Sequence, residues 1–258
     1  MKTVLKSYPN IAGPCLHKPE ELRCAACILD TSYYFGSLSI SAKRQLQQYL
    51  HFKTFNKKDF IYREEQTCQN LYILITGEVK IYKSMSNGKQ QIHKLAMIPG
   101  DLIACEDLYL NNHGSSAEAL SDVSVCYIKR ADFQTVANMN TEVSDTMLQH
   151  MSRNLNSYIQ HISNLGQKSA LERVASYLLH LHDTHHEGNL ENDLVSDSLS
   201  RVELADMLGI TQRTLIRGLK KLEADGYIKL AKDGFVIVQL DALTCISTGC
   251  SGHCQFTI

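Results

Sequence analysis

Ser200-Arg201-Val202-Glu203-Leu204-Ala205-Asp206-Met207-Leu208-Gly209-Ile210-Thr211-Gln212-Arg213-Thr214 is the stretch that decides how the chain reads. Ser200 followed three residues later by Glu203 is a capping box: the hydroxyl takes a first-turn N–H and the carboxylate returns to the cap. The helix started there carries Val202, Leu204, Ala205 and Leu208 and stops at Gly209, a residue suited to the left-handed end of a helix. Thr211 caps a second helix, Gln212 to Ala224, which ends at Asp225-Gly226. Two short helices across a tight glycine turn make a helix-turn-helix. Tyr227-Ile228-Lys229-Leu230 and Phe235-Val236-Ile237-Val238, on either side of Asp233-Gly234, follow as a β-hairpin wing.

The second helix exposes Gln212, Arg213, Arg217, Lys220 and Lys221. Its N-terminal residues are placed to meet base edges and its later lysines to meet phosphates. Arg213 and Arg217 are four apart and share a face. Arginine pairs bidentately with guanine, and glutamine does the same with adenine. The expected DNA-contacting set is Thr211, Gln212, Arg213, Thr214, Arg217, Lys220 and Lys221. The alternative is an ordinary solvated basic face; cap, turn, helix and wing in that order favour double-stranded DNA.

Upstream, short β-rich runs alternate with turn signals from Leu50 to about Lys129. Leu71-Tyr72-Ile73-Leu74-Ile75 ends at Thr76-Gly77, and Val79-Lys80-Ile81-Tyr82 alternates as a half-buried strand does. Asn87-Gly88 is a hairpin turn, Gln91 to Met97 returns, and Val123 to Ile128 is a further strand. Such spacing predicts a barrel, roll or sandwich. Beyond Ala131 the pattern changes. Leu148, Met151, Leu155, Tyr158, Ile162 and Leu165 fall at spacings of three and four, a heptad seam for a helix-to-helix dimer interface. Packing of this helix on its own β domain is the alternative. Ala170 to His182 is a second amphipathic helix, a polar loop with a short strand at Leu194-Val195 follows, and the tail after Leu243 reads as irregular.

The chain has 258 residues, 44% of them apolar, 21% charged, with a net charge of -1, enough for two domains of ordinary size or one large one; strands followed by helices make the expected class α+β. No apolar run reaches about 18 residues and no secretory leader is evident, so a cytoplasmic location without a membrane partner is expected. No phosphate-binding glycine loop, serine nucleophile elbow or His-Glu-x-x-His motif occurs, and an enzyme is not expected. His180, His182, His185 and His186 cluster, and read as surface polar groups rather than a metal site. Nothing singles out a haem ligand. Nine cysteines are many for a reducing compartment, where metal or redox chemistry explains them better than disulfides. Cys15, Cys24 and Cys27 crowd one end; Cys245, Cys250 and Cys254 crowd the other. Cys68 and Cys105 read as buried thiols.

Leu204 to Thr211, Thr214-Leu215-Ile216-Arg217 and Leu222 to Ile228 together resemble the winged helix of the Crp/Fnr family of transcription regulators. Leu71 to Val79 and Pro99-Gly100-Asp101-Leu102-Ile103 resemble its β-roll, and Ala170-Leu171-Glu172-Arg173-Val174 resembles the helix after its dimerisation helix. The resemblance covers roughly Leu38 to Leu243. It implies a cyclic-nucleotide-binding-like β-roll, a long dimerisation helix and a C-terminal winged helix-turn-helix. It also implies a homodimer on a palindromic site, with RNA polymerase as a further partner. The domains expected are a cysteine-containing sensor segment at 1–37, the β-roll at 38–132, the dimerisation helix at 133–166, the DNA-binding domain at 167–243 and a cysteine-rich tail at 244–258.

The cysteines resemble the Fnr branch of that family, in which N-terminal cysteines and one β-roll cysteine hold a [4Fe-4S] cluster and so sense oxygen or redox state. Cys24-Ala25-Ala26-Cys27 matches a Cys-x-x-Cys pair of that pattern and Cys126 matches the β-roll cysteine. A further N-terminal position holds Tyr33, for which Cys15 substitutes at a different spacing. The ligand set is therefore Cys15, Cys24, Cys27 and Cys126, with Cys245, Cys250 and Cys254 as the alternative set; zinc or no metal is the other reading of the thiols. Cyclic nucleotide is not expected as the ligand: Cys105 and Ser115-Ser116 stand where that branch places Glu and Arg-Ser, and no arginine lies between Arg63 and Arg130. A regulator with thiol switches or a small-molecule ligand, and an electron-transfer or metal-carrier protein, are the rival functions. The recognition helix departs from the family: Arg213 replaces its glutamate, Ile216 replaces the serine of the Fnr branch, and Arg217 keeps its arginine.

Overall fold

The computed structural model describes residues 28–32, 34–86, 88–186, 194–232 and 234–249. Contacts divide the chain into two units, one of residues up to 83 with 94–156, the other of 84–93 with 157 onward.

The first unit opens with α1 (Ile28–Thr31) and α2 (Ile40–Gln47). Eight strands follow: β1 (His51–Phe55), β2 (Phe60–Tyr62), β3 (Asn70–Thr76), β4 (Val79–Ser84), β5 (Gln90–Ala96), β6 (Leu102–Ile103), β7 (Ser116–Ala119) and β8 (Val123–Lys129). They form two four-stranded sheets, β1-β8-β3-β6 and β2-β7-β4-β5. The continuous apolar run of β3 has a simple cause: both faces of its sheet are covered. Tyr72, Leu74 and Val125 point between the sheets, onto Val79, Ile81, Ala117 and Ala119. Leu71, Ile73, Cys126 and Ile128 point the other way, onto Leu29, Leu46, Phe133 and Val143. Each fully buried side chain of this kind contributes ~1.5–3 kcal/mol.

Gly100, in the turn before β6, has φ +99°, and a Cβ there would meet Ser32 at 2.6–2.9 Å. The backbone following α1 therefore packs directly on the roll. Asp101 closes the turn by accepting from the N–H groups of Met97 and Ile98 at 2.9 and 3.0 Å. After β8 come α3 (Arg130–Met139) and α4 (Thr141–Gln167). The single helix expected at 133–166 is thus two helices. They part at Asn140, whose extended backbone (φ -134°, ψ 103°) ends α3, while its side chain accepts from the Glu142 N–H at 3.1 Å.

The second unit contains α5 (Ala170–His186), β9 (Leu194–Ser196), α6 (Arg201–Leu208), α7 (Gln212–Ala224), β10 (Ile228–Ala231), β11 (Gly234–Ile237) and α8 (Leu240–Ser247). The wing is three-stranded, in the order β10-β11-β9, because the short strand after α5 pairs with β11. The tail read as irregular is helical in its first part. Leu243 is buried completely and Ala242 nearly so, which places α8 against α5.

Candidate nucleic-acid interface and cysteine sites

The helix-turn-helix is held by the groups its sequence announced. Ser200 Oγ accepts from the Glu203 N–H at 3.3 Å, and Glu203 Oε2 accepts from the Ser200 N–H at 2.9 Å. Gly209 adopts φ 61°, ψ 38° and ends α6. Arg173, from α5, donates to the carbonyl of Leu208 at 2.8 Å and to that of Gly209 at 3.5 Å. A cation on the last carbonyls of a helix is favourable, because they have no partner within the helix. Sequence reasoning noticed Arg173 only as part of a resemblance. Its role depends on a turn 35 residues away and has no local signal.

Thr211 Oγ1 caps α7 by accepting from the Thr214 N–H at 3.1 Å, and the two threonine hydroxyls are 2.9 Å apart. Leu215, Leu219 and Leu222 are the buried face of α7. Gln212, Arg213, Arg217, Lys220 and Lys221 are all exposed, Thr211 is exposed, and Thr214 is half-buried. Six of the seven expected DNA-contacting residues therefore lie open to a ligand, and Thr214 acts mainly through the cap. Glu223 accepts from the Leu230 N–H at 3.0 Å, which ties the end of α7 to the wing.

The seam residues divide. Leu148, Leu155 and Ile162 are exposed on α4, as a partner-facing stripe requires, whereas Met151, Tyr158 and Leu165 are half-buried on their own chain. Ile159, absent from the expected set, is exposed. The open stripe is Leu148, Leu155, Ile159 and Ile162, three of them in the expected set, with Ile159 in place of the half-buried Met151, Tyr158 and Leu165. Ser152 continues it, and Asp145, Gln149, Asn156 and Ser163 border it, only Asp145 among them charged.

Cys126 is 5% exposed, in β8, between Phe52 of β1 and Ile73 of β3. Its apolar cluster includes Ile28 and Leu29, the residues that follow Cys27, and Met147 of α4, with Met151 at its edge. Lys43 and Asp30 form an ion pair at 3.1 Å that fastens α1 to α2. Cys15, Cys24 and Cys27 lie outside the described residues, as do Cys250 and Cys254. Cys245 lies half-buried in α8 of the second unit. Cys68 and Cys105 are buried. Among the described residues no three His, Cys, Asp or Glu side chains are disposed to hold a metal ion.

A polar cluster joins α4 to the roll. Lys94 donates to Glu106 at 2.8 Å and to the Leu102 carbonyl at 3.0 Å. Asn154 Nδ2 lies 2.8 Å from Glu106, 3.4 Å from Cys105 Sγ and 3.1 Å from His150 Nε2. The Glu106 carboxyl is held down at about 2; burial opposes ionisation, and Lys94 outweighs it by charge and hydrogen bond. Burial pushes the Cys105 thiol far up, so it stays protonated. Nearby, Asp107 accepts from the Gly114 N–H at 3.3 Å and meets His113 Nδ1 at 2.9 Å, while Ser116 Oγ accepts from the Glu64 N–H at 3.0 Å.

A two-sheet roll, a helix with an open apolar stripe and a winged helix-turn-helix with a cationic recognition face define a DNA-binding regulator. Residues 52–140 match the cyclic nucleotide-binding domain family and residues 172–246 the Crp-like helix-turn-helix domain. The chain is 30% identical over 188 residues to the nitrogen fixation regulation protein FixK of Azorhizobium caulinodans, covering 72% of this chain and 74% of that one. It is 27% identical over 215 residues to FixK of Bradyrhizobium diazoefficiens, covering 83% and 90%. The structure of FixK2 from Bradyrhizobium japonicum superposes with a TM-score of 0.70 at 27% identity, over 76% of this chain and 96% of that one. The chain belongs to the Crp/Fnr family of transcription regulators, whose members bind DNA and act as dimers, and it is not an enzyme. No described helix is long and apolar enough to cross a membrane.

Proposed function

We propose that this regulator senses oxygen or redox state through a [4Fe-4S] cluster held by Cys15, Cys24, Cys27 and Cys126, and that it binds a palindromic DNA site as a homodimer. One observation carries the reading. Ile28 and Leu29, which follow Cys27 in the sequence, are packed in the same apolar cluster as Cys126. Four thiolates suit iron-sulfur chemistry, and a bound cluster would supply an oxidant-sensitive centre. The tail set is less favoured, since Cys245 belongs to the other unit and Cys126 has no counterpart there.

Coupling to the rest of the protein runs through packing. Cys126 shares its cluster with Met147 and, at the edge, Met151, on the face of α4 that adjoins Leu148 and Leu155. A change in how Cys126 is held reaches the helix that carries the seam, and a dimer rearrangement changes the distance between two recognition helices. That distance must be about 34–36 Å to meet half-sites one DNA turn apart. Contact with RNA polymerase at a target promoter belongs to the same reading. The turn around Asp107 and Ser116 supports a non-nucleotide signal, because its polar groups already bond one another and no arginine is there to take a phosphate.

The test is purification without oxygen, followed by visible absorption and analysis of iron, sulfide and zinc. About four iron and four sulfide per chain, bleaching in air, are the expected result. Cys126→Ala removes the colour and Cys245→Ala keeps it. A colourless zinc protein, or full occupancy in the Cys126→Ala protein, overturns the assignment.

A further inference from the structure

The helix that carries the dimer stripe is gripped from behind, and one side chain in the grip is not explained by core packing. His150 is buried in α4, about 200° around the helix from Leu148 and so on the side away from the stripe. Its Nε2 faces Asn154 Nδ2 at 3.1 Å, but its Nδ1 is buried with no hydrogen-bond partner among the described residues. An orphaned ring nitrogen is costly, and leucine would fill the place without it. What the imidazole adds is an aromatic contact. The Tyr34 ring stands at 84° to it with centroids 4.1 Å apart, and the Arg153 guanidinium lies 5.9 Å from the Tyr34 ring centroid. His150 and Arg153 are three apart and neighbours on the helix surface, so Tyr34 is set against both.

The backbone that carries Tyr34 is fixed in place. Ser32 Oγ accepts from the Tyr34 N–H at 3.2 Å and from the Phe35 N–H at 3.4 Å. Ser32 is buried against Gly100 of the roll, and Phe35 is buried in the cluster that holds Cys126. Lys43 donates to the Gly36 carbonyl at 2.8 Å and pairs with Asp30, which ties both sides of the turn to α2. Ser39 gives its N–H and its hydroxyl to the Glu142 carboxylate at 2.5 and 2.7 Å, so α2 in turn holds the start of α4. The Tyr34 ring cannot leave α4 unless the turn at 32–36 moves, and that turn follows α1, which begins at the residue after Cys27.

We propose that Tyr34 is a positioning residue for dimer formation: its ring, wedged against His150 and Arg153, holds α4 so that Leu148 and Leu155 face a partner. A displacement of α1 withdraws the ring and lets α4 settle back on its own roll. The dependence of that displacement on the cysteines ahead of α1 rests on the cluster reading above; the wedge itself does not.

The test uses full-length protein prepared without oxygen, as wild type, Tyr34→Ala, Tyr34→Phe and His150→Ala. Iron and sulfide are measured on each, and sedimentation gives the dimer dissociation constant before and after air is admitted. The wild-type constant is expected to rise in air. Tyr34→Ala should hold iron as the wild type does, yet dissociate about tenfold more readily before air, since each of two protomers loses a ring contact. Air should then change its constant by less than about twofold. Tyr34→Phe keeps the ring and should behave as the wild type. A ring that only stabilised the fold would weaken both forms alike and leave the response to air in place; that result overturns the proposal. Equal losses in Tyr34→Ala and Tyr34→Phe overturn it too, because the wedge is the ring and not the hydroxyl. Tyr34 is half-buried, and circular dichroism checks that its variants fold. Should Tyr34→Ala not fold, His150→Ala removes the other half of the contact, and an unchanged response to air in that protein overturns the proposal. If the wild type holds no iron, or its dimer ignores air, the link to the cysteines fails and the constants alone decide. A weaker dimer in Tyr34→Ala with the wild-type value in Tyr34→Phe then supports the wedge, and three equal constants overturn it.

Discussion

Replacing His150 by Gln is expected to flatten the acid sensitivity of the protein. His150 is 1% exposed in α4, with the Tyr34 ring set edge-on at 4.1 Å. Asn154 Nδ2 faces its Nε2 at 3.1 Å, which assigns Nε2 as acceptor and leaves the proton on Nδ1. Burial, then the charge of Lys94, push its pKa down to about 4, with Glu106 pulling the other way and Arg153 adding a smaller push down. The unfolded chain takes up this proton at its ordinary value of about 6.5 and the folded chain only near 4, so protons favour unfolding. The contribution of neutral His150 is complete above about pH 6.5 and is lost as the pH falls towards 4. Between about pH 7.5 and about pH 5 it amounts to ~2 kcal/mol. Urea unfolding at fixed protein concentration measures this difference. The His150→Gln protein, whatever its stability at neutral pH, should lose ~2 kcal/mol less than the wild type over that interval. Equal losses in the two proteins would refute the account of His150 as a buried neutral group.

The other tests address the polar cluster, the turn and the seam. Glu106→Gln leaves the buried Lys94 ammonium without its carboxylate and should cost ~3 kcal/mol in urea unfolding at neutral pH; a change within error would show that the pair is solvated. Gly209→Ala places a Cβ at positive φ, 3.0 Å from Leu165 Cδ2, and should lower stability by at least ~1–2 kcal/mol while weakening DNA binding. Ile159→Asp sets two carboxylates against each other in a dimer. With ~1.5–3 kcal/mol of burial lost per protomer, sedimentation should show dimer dissociation raised at least ~100-fold. An undisturbed dimer would move the seam off the Leu148–Ile162 stripe.

The parts of the fold legible in the sequence are those whose signals are local. The capping box at Ser200, the glycine at 209 and the threonine cap at 211 each act within four residues, and both helices of the reading motif fall within a residue of their expected ends. β3, β4 and β8 were legible for a related reason: their alternation or unbroken apolarity reports whether one or both faces are covered. What escaped depends on partners distant in sequence. β1, His51–Phe55, is mostly polar and exposed, and is a strand because β8 pairs with it. α8 is a helix because Leu243 has α5 to pack on. The expected seam residues divide between exposed and half-buried, since a spacing of three or four cannot tell which apolar residues a helix spends on its own chain. Ile159 differs from Tyr158 in this respect only through the fold. Of the four cysteines first expected as ligands, Cys126 has a described position, and Cys15, Cys24 and Cys27 lie outside the described residues.

The border of the α4 stripe, with Asp145 its one charge, has a consequence for how the two equilibria of this protein separate. Gln149, Ser152, Asn156 and Ser163 carry no charge to be screened, so association along this stripe is governed mainly by apolar area and responds weakly to ionic strength. The recognition helix is the reverse: Arg213, Arg217, Lys220 and Lys221 displace counterions from phosphates, and affinity falls steeply as salt rises. Raising salt therefore strips the regulator from DNA while leaving its subunits together. In a cell whose ionic strength drifts, occupancy of the target changes without subunit exchange, and rebinding begins from an assembled reader.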